Sequence, residues 1–377
     1  VSTVGIVSLI VALVVMILVH EWGHYITARK FGMKVESYFL GFGPKLWSTM
    51  RGETEYGVRA FPLGGYVKIT GMNPFVPVAE EDRDRTFTSK PRWQRAIVLL
   101  AGSGMNFALG FVALVLIFGA IGLPVTTLGI GNLTKGDGGT PMPAETAGIQ
   151  AGDRLVEIDG VALNDWGDVV EVVRSSPGEE LSVTLLRGDE RLTTTVVPAT
   201  VEETQPDGST IEVGRLGVIS ELAYVREPPH RAVWSAGRAT VGYIALSYVG
   251  LKNVFFGEEI RSVFSTMLGS GEREATEESL IGPVGAGRIA GQVAEQSVVD
   301  LMFFLVGIVI FVGAFNLLPI PVLDGGYLAV ILFESITRRD VNFKRLVPVW
   351  VVVFGLLLLL GISLLYLDIV RPINLPN

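Results

Sequence analysis

The chain has 377 residues, 49% of them hydrophobic, and a formal net charge of −8. So apolar a composition excludes an ordinary soluble enzyme and points to a membrane protein with a soluble insert, while the negative balance speaks against a nucleic-acid partner. There is no cysteine, which excludes disulfides and thiolate metal sites, and only 3 histidines occur: His20, His24 and His230.

The first apolar run, Val4 to Val19, gives way to His20-Glu21-Trp22-Gly23-His24. If Val4 to Lys30 is one helix, the two imidazoles lie four residues apart on one face and can share a metal ion, with zinc the usual choice. Glu21 then points to the flank of that face, where a general base can reach a metal-bound water without competing for the metal. The motif alone occurs by chance in soluble helices. On a membrane-length helix, where ionisable side chains are costly, a function outweighs the competing reading of polar residues that merely end the span. The run lacks a basic leader and a small-residue cleavage site, so it is expected to be retained as a span. Arg29, Lys30, Lys34, Lys45 and Arg51 follow it, which places that side in the cytoplasm and the amino terminus outside.

Tyr38 to Pro44 is rich in Gly and aromatic residues, Glu53 to Ala60 reads as a strand, Pro62-Leu63-Gly64-Gly65 as a turn, and Tyr66 to Thr70 as a return strand. Beside a membrane this pattern fits a re-entrant hairpin whose open edge can pair with an extended substrate; an ordinary cytoplasmic hairpin fits it equally. Glu80 to Arg85 is a charged loop. A second span is expected from Trp93 to about Gly122, with small residues at Ala101-Gly102-Ser103-Gly104 for close helix contact. Asn106 within it needs a polar partner, either at the metal site or on a neighbouring helix.

Pro124 opens a soluble insert reaching to about Asp300, with turns at Lys135-Gly136-Asp137-Gly138 and Ser176-Pro177-Gly178. Ala144 to Gly160 resembles the signature of a PDZ domain, and the resemblance runs from about Val125 to Pro198. It implies a β-rich module that takes a peptide as an added strand. Val201 to Gly214, with a turn at Pro206-Asp207-Gly208, reads as loop or linker. Arg231 to Phe256 fits an amphipathic helix on the membrane surface better than a span. Glu272 to Glu278 reads as a charged loop, and Ile281 to Gly285 as a tight turn before the third span.

That span runs from about Val298 to Leu318 and leads into Asn316-Leu317-Leu318-Pro319-Ile320-Pro321-Val322-Leu323-Asp324-Gly325-Gly326. Asp324 sits among apolar and Gly residues, where an unpaired charge is expensive and a metal ion would satisfy it. His230 lies on the outer side, poorly placed for a site near the cytoplasmic face, so Asp324 is the expected third ligand. A plain helix-capping Asp is the competing reading. Arg338, Arg339, Lys344 and Arg345 return the chain to the cytoplasmic side, and Val347 to about Leu367 forms the fourth span.

Together these residues resemble the site-2-protease family of intramembrane zinc metalloproteases. His-Glu-x-x-His, a Gly-rich hairpin, an extracytoplasmic PDZ insert and Asn-x-x-Pro-x-x-x-Leu-Asp-Gly follow in the same order. The resemblance implies Zn2+ held by His20, His24 and Asp324 with Glu21 as base, and Asn316 holding the substrate backbone. Asn106, Gly64, Gly65 and Tyr66 are the further candidates for substrate contact. Related enzymes often have Gly-Pro where this chain has Gly102-Ser103, and Ser lets the helix start earlier.

The expected fold is a polytopic α-helical membrane protein of about four transmembrane helices, with a re-entrant β-hairpin and an inserted β-rich PDZ domain. Residues 1–123 hold the first two spans with the zinc motif and hairpin, and 124–200 the PDZ domain. Residues 201–297 hold a linker and the surface helix, and 298–377 the last two spans with the third ligand. The implied activity is cleavage of single-span proteins of the cell membrane, anti-sigma factors after a first-site cut. The rival reading is a non-enzymatic membrane PDZ adaptor with a structural metal. The lipid bilayer is the other expected partner.

Overall fold

The computed structural model describes residues 2–73, 75–136, 139–204, 210–256 and 281–371. The charged loop expected at Glu272 to Glu278, the turn at Pro206-Asp207-Gly208 and the Asp137-Gly138 half of the earlier turn lie outside them. The chain divides into two units, Val1–Ile117 with Pro229–Asn377, and Phe118–Pro228.

In the first unit, Thr3–Lys30 is a single helix, α1. Its buried side runs through Leu9, Met16, His20, Gly23, His24 and Ala28, while Val4, Val7, Val11 and Val15 stay exposed on the other faces. That is the pattern of a helix with one protein-facing stripe and an apolar remainder suited to lipid. The second long helix, α2 (Arg92–Leu116), ends in a wide turn at Ile117–Ile121. Its stripe of Gly102, Ser103, Asn106 and Gly110 is buried. Small side chains at four-residue spacing let two helices approach. Gly23 of α1 sits against Ala101 and Met105, and Gly110 sits against Ile310 of a later helix.

Between α1 and α2, strands β1 (Val35–Arg51) and β2 (Thr54–Ile69) pair antiparallel. No strand was expected over β1, and β2 joins the two strands expected at Glu53 to Ala60 and Tyr66 to Thr70, which pair with β1 rather than with each other as a hairpin; both strands bend. Leu40 faces Gly65 on one side and Val58 on the other, while Trp47 also faces Val58. The pairings give four segments in the order 45–51, 54–61, 35–42, 65–69. The turn expected at Pro62 to Gly65 is thus a bend within a continuous strand, and Tyr38 to Phe42 forms part of the centre of the sheet. Gly41 and Gly43, at φ 86° and 84°, supply the left-handed backbone at the bend of β1.

The second unit is β-rich. Strands β3 (Leu123–Leu133), β4 (Arg154–Ile158), β5 (Val161–Ala162), β6 (Leu181–Arg187), β7 (Glu190–Val196) and β10 (Val218–Val225) form one sheet in the order β10-β3-β4-β6-β7, with β5 beside β4. Its core holds Ile130, Ile149, Leu155, Ile158, Val183 and Leu185. Two helices complete it, α3 (Pro143–Thr146) and α4 (Trp166–Ser175). Asp165 caps α4, accepting from the Gly167 and Asp168 amides at 2.7 and 3.3 Å.

The linker expected over Val201 to Gly214 is corrected here. Strands β8 (Ala199–Thr204) and β9 (Thr210–Arg215) form an antiparallel ribbon, and β10 returns to pair with β3. The polar alternation of these residues is that of a ribbon exposed on one face rather than of a free loop.

Helix α5 (Pro229–Phe256) packs along α2 and the third span, burying Ala232, Ala236, Thr240, Ser247 and Leu251. The tight turn expected before the third span instead caps a further helix, α6 (Pro283–Gln296), whose N-cap is Gly282. Helices α7 (Val298–Asn316), α8 (Asp324–Thr337) and α9 (Phe343–Val370) follow. Among the described residues, four helices are long and apolar enough to cross a membrane: Thr3–Lys30, Arg92–Ile121, Val298–Asn316 and Arg345–Val370. These four candidates lie where the sequence places apolar runs of membrane length, and α5 is not among them.

Candidate active site

Helix α1 delivers His20 and His24 on adjacent turns of its buried stripe, both 8% exposed. Asp324 opens α8, after the loop that leaves α7 at Asn316. It does not act as a cap: the N-cap is Leu323, and no side chain caps this helix. Its carboxylate turns instead to the imidazoles. Asp324 Oδ2 lies 3.2 Å from His20 Nε2 and 3.2 Å from His24 Nε2, and the two Nε2 atoms are 3.2 Å apart. Oδ2 is nevertheless buried without a hydrogen-bond partner.

Three ligand atoms at the corners of an equilateral triangle, one of them unsatisfied, fit a metal ion. A tetrahedral centre with ligand bonds of about 2.0–2.1 Å has edges of about 3.3 Å, and three protein ligands leave one corner open. His20, His24 and Asp324 form the one His/Cys/Asp/Glu group of this kind among the described residues, so His230 is no part of it.

Packing fixes this geometry from behind. His24 Nδ1 is 2.8 Å from the Val98 carbonyl oxygen, which leaves Nε2 to face the centre. A Cβ at Gly102 would strike Nε2 of His24 and crowd Cε1 of His20, so only glycine lets α2 close over the two rings. Gly325 and Gly326 pack on the backbone of Leu317, Leu318 and Ile320, drawing the start of α8 under the end of α7. Two residues before Asp324, Val322 holds a φ of 84°, a conformation that costs a β-branched residue about 1–3 kcal/mol. The close glycine contacts beside it hold that strain in place.

All the residues singled out from the sequence border one cavity of about 510 Å³. His20, Glu21, His24, Gly64, Gly65, Tyr66, Asn106, Asn316 and Asp324 line it, with Val67 and Val322. Glu21 is half-buried, and its Cγ lies against Gly65, where a side chain would crowd Glu21 and Ile17. Segment 65–69, an edge of the sheet that pairs on one side only among the described residues, therefore runs beside the candidate base, whose carboxylate accepts from the Val67 amide. The ring of Tyr66 stacks with Phe39 and Phe42 at 5.7 and 6.1 Å between centroids. Asn106 lies in mid-helix, fully covered, its Nδ2 3.5 Å from His20 Nδ1.

Sequence reasoning missed two contributors. The Val98 carbonyl is a backbone atom and carries no sequence signal. Gly102 was legible only as a small residue for helix contact, although it lies one turn before Asn106.

Comparison with known proteins identifies the family. The model of "Peptidase family M50" matches residues 8–360. "Zinc metalloprotease Rip1" of Mycobacterium tuberculosis strain H37Rv is 34% identical, covering 98% of this chain and 98% of its own length. The protein of the same name from Mycolicibacterium smegmatis is 32% identical, covering 99% and 98%. A solved PDZ domain of an SdrC-like protein from Listeria monocytogenes is 20% identical, covers 26% of this chain and 93% of its own, and scores a TM-score of 0.18. With the family model spanning nearly the whole sequence, and relatives above 30% identity aligned end to end, this chain belongs to peptidase family M50, the site-2-protease family.

Proposed function

We propose that this multi-pass membrane protein is a zinc metalloprotease that cuts single-span membrane proteins within or at the edge of the bilayer. One observation carries the reading: the three-atom ligand triangle opens on the same cavity as the Glu21 carboxylate and an edge segment of the sheet. His20, His24 and Asp324 would hold Zn2+, which when bound acidifies a water and polarises a carbonyl. Glu21 takes the proton of the attacking water and passes it to the leaving amine nitrogen.

Segment 65–69 receives the target as an added strand, with Gly64, Gly65 and Tyr66 at that edge and Asn316 holding the substrate backbone. The target must be unwound first, since a helical peptide bond is shielded and already hydrogen bonded; helix-breaking residues near the cut therefore speed cleavage. The exposed Phe42, Leu46, Trp47, Met50 and Phe61 of the sheet favour a hairpin that dips into lipid. Basic residues after the first span and before the fourth favour a cytoplasmic active-site face, with the β-rich unit, read as a PDZ domain that screens substrates, outside. Anti-sigma-factor-like proteins already trimmed by a first protease are the substrate class this arrangement suits.

An adaptor with a structural metal is disfavoured by the site itself. A closed structural site takes four protein ligands, and the described residues supply three. The test is incubation of the purified protein with candidate single-span substrates, with and without chelator, beside Glu21→Gln. Cleavage should require both metal and Glu21; cleavage that survives Glu21→Gln would sink the proposal.

A further inference from the structure

We propose that Asn106 is a positioning residue of the metal site: its carboxamide oxygen accepts the Nδ1 hydrogen of His20 and so keeps Nε2 free for the metal. This rests on the metal-site reading above and assigns Asn106 a task other than substrate contact.

Both imidazoles turn Nε2 toward Asp324 Oδ2. A neutral imidazole has one N–H and one lone pair, so a ring that ligates through Nε2 carries its hydrogen on Nδ1. That hydrogen needs an acceptor when buried. His24 has one, the Val98 carbonyl at 2.8 Å. Among the described residues, the hydrogen-bond contact of His20 Nδ1 is with the Asn106 carboxamide, whose Nδ2 stands 3.5 Å away.

With Nδ2 in that position, two N–H donors would oppose each other in the metal-bound state. At the same time Asn106 Oδ1 is buried with no partner, in a residue that is 0% exposed. A half-turn of the amide about χ2 removes both faults, because its two ends have nearly the same shape. Oδ1 then meets Nδ1–H, and the ring orientation and tautomer of His20 are fixed as those of His24 already are.

The placement follows from helix α2. Val98, Gly102 and Asn106 are spaced by four and share one face. Because α1 and α2 run antiparallel, the Val98 carbonyl meets His24, the missing side chain of Gly102 admits both rings, and Asn106 meets His20. Asn106, though it borders the cavity, is 0% exposed and turns its carboxamide to His20.

The test uses the full chain in detergent, with zinc affinity read by competition with a chromophoric chelator and geometry by the d–d absorption of bound cobalt. Asn106→Leu keeps the shape and removes the acceptor, and should weaken zinc binding about 10–100-fold; Asn106→Asp keeps an acceptor and should bind within a few-fold of wild type. At saturating zinc, KM should be unchanged in both. Asn106→Leu binding zinc as the wild type does, or raising KM alone, would overturn the inference. Nitrogen NMR of histidine-labelled wild type needs no variant: in the zinc form, His20 should be protonated on Nδ1, and the opposite tautomer would refute it. Wild type that takes up no zinc, or that binds it as well after His20→Ala, would instead defeat the metal-site reading itself.

Discussion

At the scale of single residues, the site depends as much on absent side chains as on present ones. Gly102→Ala should fold, since α2 gains a better helix former, yet its methyl group would occupy the space of His24 Nε2. The expected outcome is a fall in zinc affinity of about 10–100-fold, read by chelator competition, with cleavage lost in proportion. Glu21→Gln should do the opposite, leaving zinc affinity unchanged while kcat drops about 10²–10⁴-fold, the usual contribution of a positioned base. His20, Glu21, His24 and Asp324 stood out in the sequence as candidates, because His-Glu-x-x-His and an acid among apolar residues each violate the composition around them. Gly102 was not, since a small residue on a membrane helix has many ordinary uses.

At the scale of elements, two ion pairs hold the parts in register. Arg95 in the first turns of α2 pairs with Glu334 near the end of α8 at 2.7 Å, with both side chains under 10% exposed. Glu334 also accepts from the Val341 amide at 3.1 Å. Glu334→Ala would leave Arg95 buried and unpaired, and should cost about 3–5 kcal/mol, whereas replacing both residues with apolar ones of like size should cost far less. Thermal unfolding of the four forms in one detergent measures this.

In the β-rich unit, Arg187 donates from Nε and Nη2 to the buried Asp153, both at 2.8 Å, and the Gln150 amide donates to the same carboxylate. The guanidinium holds the Asp153 carboxyl below its usual range. A group whose pKa is lowered on folding stabilises the fold above its unfolded value, near ~3.9, and that contribution disappears as pH falls through the folded value. Hydrogen exchange of β4 and β6 in the intact chain should therefore stay slow from neutral pH down to about 4 and quicken below it. Arg187→Met should quicken exchange already at neutral pH. Neither pair was visible in advance, since charged residues 34 and 239 positions apart give no local sign of contact.

At the scale of the whole molecule, a metal would tie α1 to α8 across most of the sequence. A ligand that binds only the folded form stabilises it by about 2.7 kcal/mol at a hundredfold excess over Kd. Chelation should thus speed hydrogen exchange in the spanning helices. The Phe118–Pro228 unit, which has no metal-type cluster among its described residues, should exchange as before. Equal destabilisation of both units would contradict a site built from α1 and α8.

The sequence alone determined where the long apolar helices lie, that two imidazoles share one helix face beside Glu21, and that Asp324 is an acid set among apolar residues. Each is a local signal: a run of apolar residues of membrane length, a four-residue spacing, or a charge where charge is costly. Only the tertiary structure decided that the supposed linker at 201–214 is paired strand, that a helix precedes the third span, and that β1 and β2 fold into four sheet segments. It alone brought Val98, Gly102 and Asn106 against the imidazoles. These depend on which distant backbone a segment meets, and partners far apart in the chain leave no mark on the residues beside them.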